Sequence, residues 1–150
     1  MSNLQNTETI ERELSENGFF ASNTIGTSMQ PLFKTHRDMV MIKRAEGELK
    51  KYDVALYKTG VGRYVLHRVV KVKKDSYLIR GDNTYKIETV PKSSVLGVLY
   101  AYRNTKKRHT VEDFSYKLYS RIWVFIYPLR LLAYRFRILL SRTYRLFFKK

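Results

Sequence analysis

Residues 24–33 read Thr24-Ile25-Gly26-Thr27-Ser28-Met29-Gln30-Pro31-Leu32-Phe33. This is a small-residue turn with a serine at its apex, then a proline and two large apolar side chains. Gly26 can take backbone angles closed to other residues, and Pro31 pre-sets φ. Such a turn can hold one hydroxyl proud of a sheet edge with apolar groups beside it. Taken alone, a loop serine is most often a turn former, because its hydroxyl bonds nearby backbone groups.

Two later blocks change that balance. Val65-Leu66-His67-Arg68-Val69-Val70 sets a histidine in an apolar, β-branched run. Leu78-Ile79-Arg80-Gly81-Asp82-Asn83 sets an aspartate in a turn right after a short strand. Serine, histidine and aspartate at strand ends and turns are the parts of a nucleophile, a base and an orienting acid. The unperturbed pKa of histidine suits proton transfer near neutrality. Each residue also has a plainer reading. His67 can be a packed, hydrogen-bonded core histidine, and Asp82 can organise its own turn. Arg68 follows His67 directly, so the two side chains should point to opposite faces of the strand.

In this order the three blocks resemble the type I signal peptidase family, within the superfamily that includes self-cleaving repressors. Bacterial members use a Ser/Lys dyad, whereas His67-Arg68 stands here where the lysine would sit. The resemblance is therefore to the endoplasmic-reticulum and archaeal type, which uses Ser and His, and it covers roughly residues 24–100. It implies a serine endopeptidase that cuts a leader or signal segment by acyl transfer. Ser28 would be the nucleophile and a backbone oxyanion donor, with His67 as the base. Some bacterial members add a hydroxyl two residues before the nucleophile; Gly26 occupies that position here. The family has a second acid shortly after the first, and Glu88 stands six residues after Asp82. The orienting acid is thus either Asp82 or Glu88, and both remain open. By the same resemblance Met29, Pro31 and Leu32 line the substrate cleft, although apolar residues there can equally be core. No metal and no organic cofactor is implied.

The surrounding pattern predicts a mainly β fold. Phe19-Phe20-Ala21, residues 38–42, 52–57, 63–72, 76–80 and 95–102 read as short strands with turn residues between them, which predicts a barrel or curled sheet. The signal-peptidase core is also β-rich. Residues 6–17, within an N-terminal segment 1–18, read as a short helix with Ile10 and Leu14 spaced i, i+4. The catalytic region then spans 19–102, and residues 103–112 form a basic linker. Residues 113–150 form a basic, aromatic, amphipathic helical tail. Pro128 divides the tail into a first helix, 113–126, and a second.

With 150 residues, 44% of them hydrophobic and 28% charged, the chain suits one modest core with extensions. There is no cysteine, which excludes disulfides, thiolate catalysis and cysteine zinc sites. The formal net charge of +16 is concentrated at the end: residues 101–150 carry 13 Lys/Arg against Glu112 and Asp113. Such a tail implies an anionic partner.

On the second tail helix Leu129, Leu132, Ala133, Phe136, Leu140 and Phe147 fall on one side. Arg130, Arg137, Arg142 and Arg145 fall on the other, while Leu131, Tyr134 and Ile138 interrupt the polar side. No apolar run approaches the ~20 residues a membrane span needs. The tail has three readings: attachment to an anionic membrane surface, packing against the domain or another subunit, and nucleic-acid binding. The third lacks a groove-reading motif.

The first 20 residues are acidic and polar, without a signal-peptide pattern. Endoplasmic-reticulum-type enzymes carry an anchor just before the serine motif, and none is read here. The expectation is a cytoplasmic protein held peripherally on the inner membrane face, with a peptide or preprotein as substrate. Two other readings compete. One is a non-catalytic peptide-binding module of the same fold. The other is a repressor-related nucleic-acid regulator, against which no helix-turn-helix pattern precedes Ser28.

Overall fold

A computed structural model describes the backbone of residues 3–148 and the side chains of residues 10–141. The chain opens with α1 (Asn3–Glu16) and β1 (Phe19–Asn23). It continues through β2 (Met39–Arg44), β3 (Val54–Lys58), β4 (Tyr64–Val72), β5 (Ser76–Arg80) and β6 (Glu88–Pro91). A 3-10 turn, Lys92–Ser94, leads into β7 (Val95–Arg103). Then follow β8 (Arg108–Thr110), α2 (Phe114–Phe125) and α3 (Tyr127–Phe148).

Eight antiparallel strands form one sheet in the order β1-β2-β7-β3-β4-β5-β6, with β8 added to β7. The long β7 carries β2 along one edge and shares its other edge between β3 and then β8. No ladder joins β1 to β6 among the described residues, so the sheet is open rather than a closed barrel. Bulges at Met41/Ile42, Leu56/Tyr57 and Val69/Lys71 shift the register, and such bulges bend strands and increase their twist.

Both faces of the sheet are covered, and β3 makes the division clear. Its alternate residues Val54 and Leu56 enter one apolar cluster with Leu14, Met29, Phe33, Val40, Ile42, Leu99 and Tyr116. Ala55 and Tyr57 enter the other with Leu49, Val69, Tyr77, Ile79, Val90 and Val98. Period-two alternation sends neighbours to opposite faces, so a strand buried on both sides reads as a continuous apolar run. The first helix closes one cluster through Ile10 and Leu14.

The six expected strands are present, with ends within two residues of the expected ones. The N-terminal helix begins earlier than the pattern implied, at Asn3. Two strands were not expected. β6 pairs with β5 after the Gly81 turn, and β8 lies inside the stretch read as a basic linker. There Tyr102 is paired with His109 and the two rings stack at 4.9 Å. A ring contact and backbone pairing hold this segment despite its charge. His109 is half-buried in consequence.

The tail divides near Pro128 as its sequence predicted. Helical hydrogen bonding nevertheless runs across the junction: Ile126 N–H donates to Ile122 C=O and Arg130 N–H to Ile126 C=O. No helix among the described residues is long and apolar enough to cross a membrane.

Candidate active site

The Ser28 turn lies between β1 and β2, and backbone bonds tie its base. Thr24 N–H donates to Asp38 C=O, and Thr24 Oγ1 donates to the carbonyls of Lys34 and Asp38. The Asp38 carboxylate accepts Lys34 N–H at 2.8 Å and pairs with Arg37. Asp38 is therefore a structural acid. Gly26 takes φ +89, where a side chain would be strained, and Gln30–Pro31 is a cis peptide. Met29 and Phe33 point into the core, Leu32 packs partly against it, and Pro31 is exposed. Of the three residues expected along a cleft, Met29 is thus buried, Leu32 half-buried and Pro31 exposed.

The turn after β5 is pressed against the Ser28 turn. Asn83 N–H donates to Ser28 C=O at 2.7 Å, and Asn83 Nδ2 donates to Thr27 C=O at 3.2 Å. Gly81 fills the remaining gap. A β-carbon there would lie 2.6 Å from the Ser28 carbonyl oxygen and 3.0 Å from His67 Nε2. The backbone carbonyl of Ser28 and the Nε2 edge of His67 therefore both close on Gly81. Gly81 is needed for close approach, which its place in a Gly-Asp-Asn turn did not disclose.

The sheet register explains what stands behind His67. Ala55 pairs with His67 and Tyr57 with Val65, so Tyr57 lies diagonally across from His67 on the same face. Val69 pairs with Ile79, which pairs with Glu88, carrying that face outward to β6. Tyr57 Oη stands 3.3 Å from His67 Nδ1 and donates its hydrogen to Glu88 Oε2 at 2.7 Å. Because that hydrogen is committed to Glu88, the phenol oxygen can only accept from Nδ1. The proton then sits on Nδ1 and the lone pair on Nε2, the edge that faces Gly81. Burial lowers the His67 pKa from its ordinary value, against the opposing pull of Glu88 and Asp82. Burial and the neighbouring Glu88 push the Tyr57 phenol well above its ordinary range, so it remains a donor.

Arg68 points to the other face, as the strand period requires. It is 1% exposed and forms a two-pronged pair with Asp82: Nε to Oδ1 at 2.8 Å and Nη2 to Oδ2 at 2.7 Å. Burial disfavours the Arg68 charge, but the adjacent Asp82 outweighs it and raises the guanidinium pKa. Arg68 Nη1 also donates to Tyr52 C=O and Ser120 Oγ. Asp82 accepts further from Tyr119 Oη at 3.0 Å. Its carboxylate is thus engaged with Arg68 and α2, while Glu88 is the acid hydrogen-bonded in line with His67 through Tyr57. Sequence reading named both acids but missed Tyr57, whose partners lie 10 and 31 residues away.

The tail helices grip the same turn. Trp123 Nε1 and Arg130 Nη2 both donate to Asp82 C=O, at 2.8 and 2.9 Å. Tyr127 Oη donates to Tyr85 C=O, and Tyr134 stacks on Tyr85 with centroids 4.1 Å apart. Arg80 lays its guanidinium 3.4 Å over the Tyr127 ring. Tyr134, which interrupts the polar side in sequence, is thus turned toward the domain.

Among the described residues no three His, Asp or Glu side chains gather in a way that could hold a metal ion. Compared with known proteins, the chain matches no family model and no curated sequence.

Proposed function

We propose that the chain is a serine endopeptidase of the signal-peptidase kind, cutting an extended leader or signal segment by acyl transfer through Ser28. One observation carries this reading: the Nε2 edge of His67 faces the point where the Ser28 turn meets Gly81. In this reading Nε2 takes the Ser28 Oγ proton as the hydroxyl oxygen attacks the scissile carbonyl. The new positive charge on the imidazole is borne through Nδ1–H to the Tyr57 oxygen and on to the Glu88 carboxylate. The backbone N–H of Ser28 stabilises the oxyanion, in the absence of a hydroxyl at Gly26. His67 then returns the proton to the leaving amine, and water releases the acyl group by the same path. The basic tail holds the enzyme at an anionic membrane surface.

The test is cleavage of leader and signal peptides, followed by mass spectrometry, with Ser28→Ala and His67→Ala alongside. The reading requires a defined cut by the parent and none by either variant. Equal cutting by both variants would overturn it. A second reading, a peptide-binding module without catalysis, is favoured by Gly26 at the place of a side-chain oxyanion donor. It predicts tight peptide binding, unchanged by Ser28→Ala, with no product.

A further inference from the structure

The tail helices have two faces with different surroundings. One holds the Gly81–Tyr85 turn through Tyr119, Trp123, Tyr127 and Arg130. The other exposes Leu118, Ile122, Phe125, Leu129, Leu132 and Phe136, with Phe125 at 82% and Leu129 at 68%. These positions step by three and four residues through both helices, across a junction where helical hydrogen bonding continues. At the α-helical repeat the exposed set falls within an arc of about 80°, centred roughly 135° from the residues that grip the domain. Scattered exposed apolar residues are ordinary on a protein surface, but a continuous stripe of this length marks an interaction site.

The charge around the stripe identifies the occupant. Lys117, Arg121 and Arg135 border one edge and Arg137 the other, all exposed, and residues 114–150 carry no acid. A second copy of the chain docked by this face would bring like-charged borders together. Nucleic acid would match the charge but would leave an apolar centre facing phosphate. An anionic lipid surface matches both, with apolar groups among the acyl chains and guanidinium groups among the headgroups. We propose that α2 and α3 lie in the interface plane of an anionic phospholipid membrane, with Leu118 to Phe136 buried in it. The opposite face of the same helices then fixes the Ser28–His67 site at a set height above the lipid. This placement of the site rests on the peptidase reading; the lipid surface itself does not.

Vesicle flotation of the full-length Ser28→Ala protein tests the surface independently of catalysis. Binding is expected to vesicles of phosphatidylcholine and phosphatidylglycerol in equal parts, weakening as salt is raised, and not to phosphatidylcholine alone. Leu129→Glu and Phe136→Glu should each weaken it by roughly tenfold or more. Light scattering and retention on nucleic acid accompany the flotation. Failure to bind the anionic vesicles would overturn the proposal. So would a dimer, or nucleic-acid retention, that the two variants abolish. In the parent background the same variants should cut a soluble peptide at the unchanged rate without vesicles. If the parent cuts no peptide yet floats, the peptidase reading fails and the lipid surface stands.

Discussion

Tyr57 holds its hydroxyl oxygen 3.3 Å from Nδ1 of His67. The two residues sit diagonally on adjacent strands, and Glu88 takes the phenol hydrogen from the far side. A neutral phenol thus stands where a carboxylate would orient a histidine directly, and the Glu88 carboxylate stands one residue further out.

Removing the phenol oxygen should therefore cost turnover more than substrate binding. Tyr57→Phe and Glu88→Gln are each expected to lower kcat by about 10- to 100-fold, within the range of general-base effects, with KM little changed. Steady-state kinetics on a cleaved leader peptide measures both. An unchanged kcat in Tyr57→Phe would show that the relay has no catalytic part.

Gly81→Ala should impair folding and activity together. The added carbon would meet the Ser28 carbonyl at 2.6 Å. Overpacking of that kind costs about 1–3 kcal/mol and here would push His67 or Ser28 out of place. Gly60→Ala, with open space around it, is the control and should be silent. Denaturant unfolding of the two variants separates them.

The Arg68–Asp82 pair is nearly solvent-free on both sides. Asp82→Asn leaves the guanidinium without its counter-charge, and breaking a buried pair in this way costs about 3–5 kcal/mol. Against a total stability of roughly 5–15 kcal/mol, the variant should unfold at markedly lower denaturant concentration. Near-wild-type stability would mean that the α2 contacts hold the turn unaided.

The lowered pKa of His67 has a sign that can be read in two ways. Folding disfavours the imidazolium, so between the folded pKa and 6.5 the unfolded chain binds more protons. The stability contributed by neutral His67 is full above pH 6.5 and is lost as pH falls through the folded value. His67→Gln should flatten that slope in pH-dependent unfolding. For catalysis the base stays unprotonated to lower pH, so the acid limb of kcat/KM should fall below 6.5 in the parent. A limb above 6.5 would contradict the assignment of His67 as a buried base.

Much of the local structure was legible in residue order. Period-two runs located six strands, Pro128 divided the tail, and the adjacency of His67 and Arg68 sent them to opposite faces. These are properties of a few successive residues, and backbone sterics enforce them wherever the segment lies. The open sheet, the pairing of β6 and β8, and the choice of partners were decided by the tertiary structure. Bulges in β7, at Leu96 and Tyr100, and in β4, at Val70, set which residues stand opposite one another, and no local pattern records that register. For this reason Asp82 and Glu88 looked alike in sequence: the fold turned one toward Arg68 and the tail helices, and set the other behind Tyr57. The part of the apolar stripe on α3, from Leu129 to Phe136, was written in the spacing of the tail, and its continuation to Leu118 on α2 was not read there. That it faces outward follows only from Tyr119, Trp123, Tyr127 and Arg130 anchoring the opposite side to the turn after β5.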